Sequence, residues 1–211
     1  MYPPSAFVET DLIALDALLA DDNFITLVTV RDGLPTVSHL PVLYRREGEA
    51  IELVGHFARP NPQARHAGPA TVIVHGPHAY VSPSWYLDKE AEARVPTWDY
   101  AVAHLHGELR TFEDEPSLSA LVGQLSDRHE AIVGGDWRFE PERDDQRVQL
   151  RGIIGFRLRV DQASLTFKLN QNHPQANRAA VASRLDALGG DRGRAVARLM
   201  RERLARPIAG D

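Results

Sequence analysis

The feature that most limits what this chain can fold into is a succession of short β-branched runs joined by links of hairpin length. Phe24 to Val30 is rich in Ile, Thr and Val, Arg31-Asp32-Gly33 supplies a turn, and Thr36 to Tyr44 resumes the strand pattern. Glu47-Gly48-Glu49 closes that run, and Ile51 to His56 forms the next. Ala70 to His75 reads as a strand buried on both faces, and Tyr80-Val81 as the start of another short one. Ala101 to Leu109 alternates, with Ala101, Ala103, Leu105 and Leu109 on one face and Val102, His104, His106 and Glu108 on the other. Ile154 to Val160 and Leu165 to Leu169 mark two further strands. Short strands linked in this way predict an antiparallel barrel.

Helical spacing lies outside these runs. Asp11 to Leu19 predicts a first helix with Thr10 as its N-cap, and Pro116 to Ile132 a second. The polar stretch Gly134 to Gln149 predicts a loop. Two helices close the chain, the first running from Pro174 to a stop at Gly189-Gly190 and the second from Asp191 to Pro207. The expected class is therefore α+β, an antiparallel split β-barrel with peripheral helices and a C-terminal helical pair. Residues 1–172 form the expected barrel domain and 173–211 a helical extension packed on it.

Composition narrows the chemistry. The 211 residues contain no cysteine, which excludes disulfides, thiolate metal sites and cysteine nucleophiles. Redox chemistry then requires a bound cofactor. No apolar run is long enough to cross a bilayer, and MYPPSAFVETD lacks the pattern of a signal peptide, so a cytoplasmic address is expected. A net charge of −5 argues against coating nucleic acid by bulk attraction. The stretch from Arg178 to Arg206 is nevertheless arginine-rich, which makes it the candidate face for weak or indirect DNA contact.

Four segments carry candidate chemistry. GHFARPNPQARH, Gly55 to His66, places Arg59, Arg65 and two histidines around Asn61-Pro62, a natural N-cap and first helical position. Guanidinium forks beside backbone N–H groups suit a phosphate, although a solvated basic loop has the same pattern. GPHAYVSPSWY, Gly76 to Tyr86, and VPTWDY, Val95 to Tyr100, concentrate aromatic rings between Pro77, Pro83 and Pro96, which forbid a continuous central strand. Such rings wall a planar ligand or plug a core. In Ser38-His39-Leu40-Pro41, a proline inside a good strand points to an edge or to backbone freed for a ligand, with His39 as a flavin neighbour or a structural histidine. Lys168 to Asn172, KLNQN, offers amides that read a ring edge or cap the following helix. His104 and His106 with Glu108 lack a third predictable ligand, so no metal is expected, and no serine-hydrolase elbow or Gly-rich phosphate loop occurs.

These motifs together resemble a known family. The starting Met1-Tyr2-x-Pro4, His39-Leu40-Pro41, Gly55-His56, Ala58-Arg59 and Asn61-Pro62 are similar to the PaiB family of FMN-binding negative transcriptional regulators. So are Gly76-Pro77-His78-Ala79-Tyr80, Ser82-Pro83-Ser84-Trp85-Tyr86, Val95-Pro96-Thr97-Trp98 and Lys168-Leu169-x-Gln171-Asn172, in order and spacing. That family is related in fold to the pyridoxamine-phosphate-oxidase-like split barrels. The resemblance implies a homodimer with a flavin site at the subunit interface and a phosphate held by the His56 to Asn61 stretch. The cofactor-binding candidates are accordingly His39, Leu40, Pro41, His56, Arg59, Asn61, Trp85, Trp98 and Gln171, with FMN as the cofactor. Catalytic residues are not assignable. A flavin-dependent oxidoreductase of a small molecule and a haem- or ligand-binding protein on the same barrel remain alternatives to a repressor, and no helix-turn-helix pattern supports the last.

Overall fold

The computed structural model describes residues 4–204. Met1 and Tyr2 of the first motif, and the helix end expected at Pro207, lie outside them. The strands are β1 (Val8–Glu9), β2 (Phe24–Arg31), β3 (Leu34–Glu47), β4 (Ala50–Ala58), β5 (Gly68–Val81), β6 (Thr97–Phe112) and β7 (Ile153–Lys168). The helices are α1 (Ile13–Asp21), α2 (Glu115–Val133), α3 (Asp144–Arg147), α4 (Gln175–Leu188) and α5 (Asp191–Leu204). The sheet order is β1-β7-β4-β3-β2-β5-β6, and a further β6–β7 pairing closes a ring. This is an α+β antiparallel split barrel. No helix among the described residues is long and apolar enough to cross a membrane.

The hairpin turns form for the reason their residues predict. Asp32 at φ 53° and Gly33 at φ 77° supply the left-handed pair that a two-residue hairpin requires. They join β2 to β3 with Arg31 opposite Leu34. The strand lengths depart from expectation. Ala70–His75 and Tyr80–Val81 belong to one 14-residue strand, β5, which alternates in burial from Ala70 to Val74 instead of being buried on both faces. Pro77 is tolerated because the ladder to β2 runs only from Ala70 to Ile73, so no partner on that side needs its missing N–H. Likewise, the two runs after residue 153 fuse into the 16-residue β7, and β6 starts already at Thr97, inside the VPTWDY segment and ahead of the expected start at Ala101.

Pro41 is not on an edge strand, since β3 lies between β2 and β4. It sits where β3 changes partner, for its pairing with β2 ends at Phe24–Pro41 and that with β4 begins at Val42–Gly55. A proline there forfeits little of either ladder. Thr10 does not cap α1. The Glu9 carboxylate takes both Thr10 N–H (3.1 Å) and Asp11 N–H (3.0 Å), and the helix starts two residues later than expected. The expected loop from Gly134 contains the short helix α3. For α2, Asp114 caps Ser117 N–H at 3.0 Å and Pro116 occupies the first turn.

Two compact units emerge. One comprises residues 12–74 and 104–163, the other residues 1–11, 75–103 and 164–211. In the first, Leu27, Leu53, Phe57, Val72, Leu105, Phe156 and Leu158 are buried. There α2 lays Leu121 and Leu125 on Val54, with Leu43 and Phe112 beside them. In the second, Phe167, Leu169, Val181, Leu185, Val196 and Met200 are buried, and α4 packs against α5.

Candidate functional site

Six of the candidate residues lie in the 12–74/104–163 unit. Asn61 caps the turn Pro62–Arg65, its carboxamide oxygen accepting Gln63 N–H at 2.9 Å. Its amide nitrogen donates to Ser38 Oγ at 2.9 Å. Gln63, which sequence reasoning did not single out, is fully buried and holds Thr29 Oγ1 and the Thr36 carbonyl at 3.0 Å each, tying β2 to β3. His39 faces solvent beside Phe24, with Nδ1 2.9 Å from Thr26 Oγ1, and Leu40 and Pro41 are half-buried. His56 is half-buried with Nδ1 unpartnered, and burial pushes its pKa down.

Arg59 spends its guanidinium on the chain itself. It donates to the carbonyls of Arg151 and Ile153 at 2.5 and 3.1 Å, and to Glu113 at 2.6 Å. Arg59, Arg147 and Arg151 line a pocket of about 330 Å³ together with Glu113 and Glu115. A phosphate approaching Arg59 there competes with the Glu113 carboxylate.

The other three candidates lie in the unit of residues 1–11, 75–103 and 164–211. Trp85 is half-buried in the turn Pro83–Trp85, which Ser82 caps. Gln171 closes its own turn, donating to the Phe167 carbonyl and accepting Leu169 N–H at 2.6 Å. Trp98 is different. It is 54% exposed and meets His78 at 6.0 Å and Tyr80 at 6.1 Å between ring centroids, both of which also face solvent. The motif GPHAY thus supplies two rings and VPTW the third, making an aromatic platform open to water.

Beneath this platform lies a buried polar network absent from the sequence-based assignment. Asp99 is fully buried, and neither carboxylate oxygen has a hydrogen-bond partner. Burial lifts its pKa to about 7, against the partial counterweight of Lys168 Nζ at 3.6 Å. Lys168 donates instead to Thr97 Oγ1 at 2.6 Å and the Trp98 carbonyl at 2.7 Å. Nearby, the Tyr86 hydroxyl donates to Asn170 Oδ1 at 3.2 Å, and its ring stacks on His173 at 4.7 Å. Asn170 holds a left-handed φ of 59° and leaves its amide nitrogen unpartnered. Asp88, pulled down to about 2 by Arg94, also accepts from Asn177, so the loop after Tyr86 is pinned to α4. VPTWD and KLNQN were legible as unusual segments. Their buried members were hidden behind Trp98 and Gln171, which look more like ligand contacts.

On α5 four of the five arginines face acids, and the fifth, Arg192, has Nη1 3.4 Å from His78 Nε2. Arg194 meets Asp191 at 2.9 Å, Arg198 meets Glu202 at 3.9 Å, Arg201 meets Asp186, and Arg203 meets Glu9 at 2.5 Å.

The sheet ring and its flanking helices define a split-barrel protein, and similarity to solved structures agrees on the fold. The FAD and haem binding protein from Mycobacterium smegmatis matches with a TM-score of 0.52 at 22% identity, over 87% of this chain and 80% of that one. The flavocytochrome Anf3 from Azotobacter vinelandii matches with a TM-score of 0.54 at 16% identity, over 76% and 69%. The chain belongs to the family described as "Putative FMN-binding domain", whose model matches residues 1–162. It is also 28% identical to the protease synthase and sporulation protein PAI 2 of Bacillus subtilis, across 99% of this chain and 100% of that protein.

Proposed function

We propose that this protein binds FMN as a homodimer, with the flavin ring stacked against the His78–Tyr80–Trp98 platform. The observation that carries the reading is the platform itself. The His78 and Tyr80 rings, at 6.0 and 6.1 Å from the Trp98 ring and open to water with it, leave stacking surface that a planar ligand would cover. Family membership supplies the ligand class. In its own unit, Arg59 is the phosphate candidate, by exchange of Glu113 for the phosphate while its two carbonyl bonds persist.

Fluorescence titrations with FMN, riboflavin and haem separate the parts. Both flavins quench tryptophan emission in the natural chain, and haem does not compete. Trp98→Leu weakens both flavins by roughly 2- to 12-fold, since an aromatic stack contributes about 0.5–1.5 kcal/mol beyond area burial. Arg59→Ala weakens FMN by about tenfold and spares riboflavin. That is the lower end for a charge-assisted hydrogen bond of about 1.5–3 kcal/mol, because Glu113 must be displaced. Flavin binding unaffected by Trp98→Leu sinks the platform reading, and equal losses of both flavins in Arg59→Ala remove that arginine from the phosphate.

The dimer is supported by an uncovered sheet face. Phe24, Val28 and Val30 of β2 share one face with Val37 of β3, and Val30 and Val37 are 65% and 51% exposed. A second copy covers such a strip by two-fold pairing. Val30→Asp with Val37→Asp is expected to halve the mass seen by light scattering while circular dichroism stays unchanged. A natural chain that scatters as a monomer at micromolar concentration ends this part of the proposal.

For DNA, four of the five α5 arginines are paired with acids and no base-reading element is identified among the described residues, so direct contact is expected to be weak and non-specific. Nanomolar promoter binding that survives competitor DNA at physiological salt reverses that expectation.

A further inference from the structure

One ammonium touches three successive residues at the start of β6. Lys168 Nζ bonds Thr97 Oγ1 at 2.6 Å and the Trp98 carbonyl at 2.7 Å, and stands 3.6 Å from Asp99 Oδ1. Its side chain is mostly enclosed and lies over the Phe7 ring at 5.8 Å. Strand alternation turns the Trp98 side chain outward to His78 and Tyr80, while Asp99 turns into the interior. The platform ring is therefore carried by a backbone segment held from behind by a lysine, and the lysine is held by a carboxylate with no hydrogen bond of its own.

We propose that Lys168 and the buried Asp99 form a latch that positions the Trp98 segment, so that the stacking surface exists for a planar ligand only while the latch is closed. The inference rests on the platform reading above. Lys168 is a positioning residue. It works through Trp98 and touches no ligand. An uncharged, hydrogen-bonding substitute or a missing ammonium frees the first residues of β6, whose preceding residue, Pro96, cannot add a backbone N–H bond to hold them.

The latch is sensitive to protons. Ionised Asp99 attracts the ammonium, and neutral Asp99 leaves it only the two β6 acceptors. Burial places that change near pH 7. The charged and titratable groups around the pair and the Trp98 ring are Tyr86, beyond it Arg94 and Asp88 of the adjoining loop, His173, and on the platform side His78 with Arg192 beside it. Of these, His173 is held below its ordinary value by burial, and Asp88 is far below neutrality. Asp88 therefore does not change charge together with Asp99.

The decisive measurement follows Trp98 without any ligand. In a Trp85→Phe, Trp137→Phe chain, Trp98 is the only fluorophore of its kind. Its emission maximum and anisotropy are expected to titrate with a midpoint near pH 7, and Asp99→Asn and Lys168→Met each abolish that step. Riboflavin, which has no phosphate to titrate, then probes the platform in the natural chain. Its affinity falls at least tenfold in Lys168→Met and recovers in part in Lys168→Arg. Thr97→Val, which removes one acceptor and no charge, gives an intermediate loss and serves if Lys168→Met does not fold. Unchanged Trp98 emission across pH in the Trp85→Phe, Trp137→Phe chain, or a folded Lys168→Met with undiminished riboflavin binding, overturns the latch. A chain whose Trp98 titrates as described but binds no riboflavin fails the flavin reading and keeps the latch.

Discussion

Gly107→Ala is expected to cost about 3 kcal/mol or more, lowering the thermal midpoint by roughly 10 °C or preventing soluble expression. A Cβ at this position falls 2.0 Å from the Arg159 carbonyl oxygen, 2.8 Å from its carbon and 2.9 Å from Val160 Cα. All three are backbone atoms of β7, so no rotamer change relieves the clash. The residue marks a place where β6 and β7 approach too closely for any side chain, and the β6–β7 pairing closes the sheet ring. Gly55→Ala makes a useful comparison, because there the nearest atoms, at 2.6 and 2.8 Å, are side-chain atoms of the buried Phe156 ring, and the nearest backbone atom, the Pro41 carbonyl oxygen, is at 3.0 Å instead of 2.0 Å. Its cost is expected to be smaller. Gly123→Ala in α2 meets nothing within 4 Å and is expected to stabilise by up to about 1 kcal/mol. Thermal melts of the three variants give the order directly. A soluble Gly107→Ala chain melting within 2–3 °C of the parent, roughly 1 kcal/mol on the same scale, means that β6 and β7 are not in contact at this point.

Gly107 also shows where sequence reading stops. Alternation across Ala101 to Leu109 identified the strand and its inward face, and the structure buries Ala101, Ala103, Leu105 and Leu109 as that pattern requires. Nothing in one sequence says which distant strand crosses at the glycine. Strand length was misread for a related reason. Turn residues such as Pro77 end a strand only where a neighbour needs their N–H, and which neighbour is present is a property of the pairing.

The candidate site divides along the same line. Asn61-Pro62 declared itself as a cap because capping depends on adjacent residues. Arg59 looked free because its acceptors, the carbonyls of Arg151 and Ile153, lie some 90 positions away, at separations of 92 and 94. Trp98 stood out by type, whereas Asp99 beside it reads as an ordinary surface carboxylate until its burial is known. Gln171 looked available, and is consumed by the turn it sits in.

Asp99 accordingly carries the second large expectation. Its ordinary value of 3.8 rises to about 7 in the fold, so the folded chain holds a proton that the unfolded chain has released. Between those two values stability falls as pH rises, and the full penalty stands above about pH 7. Its size is about 4 kcal/mol from the separation of the two values. Asp99→Asn keeps the shape and removes the ionisation. The difference in unfolding free energy between variant and parent, followed by urea titration from about pH 4 to pH 8, is expected to move by that amount in favour of the variant. His56 and His173, both held low by burial, tilt both chains the opposite way, gaining stability as pH rises, and cancel in the difference. A competing view treats Asp99 and Lys168 as a tight buried ion pair, in which case losing the carboxylate costs about 3–5 kcal/mol at neutral pH. Geometry decides between them. At 3.6 Å, with both carboxylate oxygens lacking hydrogen bonds and the ammonium already bonded to Thr97 and Trp98, the attraction does not repay the desolvation. Parallel pH profiles for the two chains, or an Asp99→Asn chain markedly weaker at pH 8 than its parent, establish the ion pair instead.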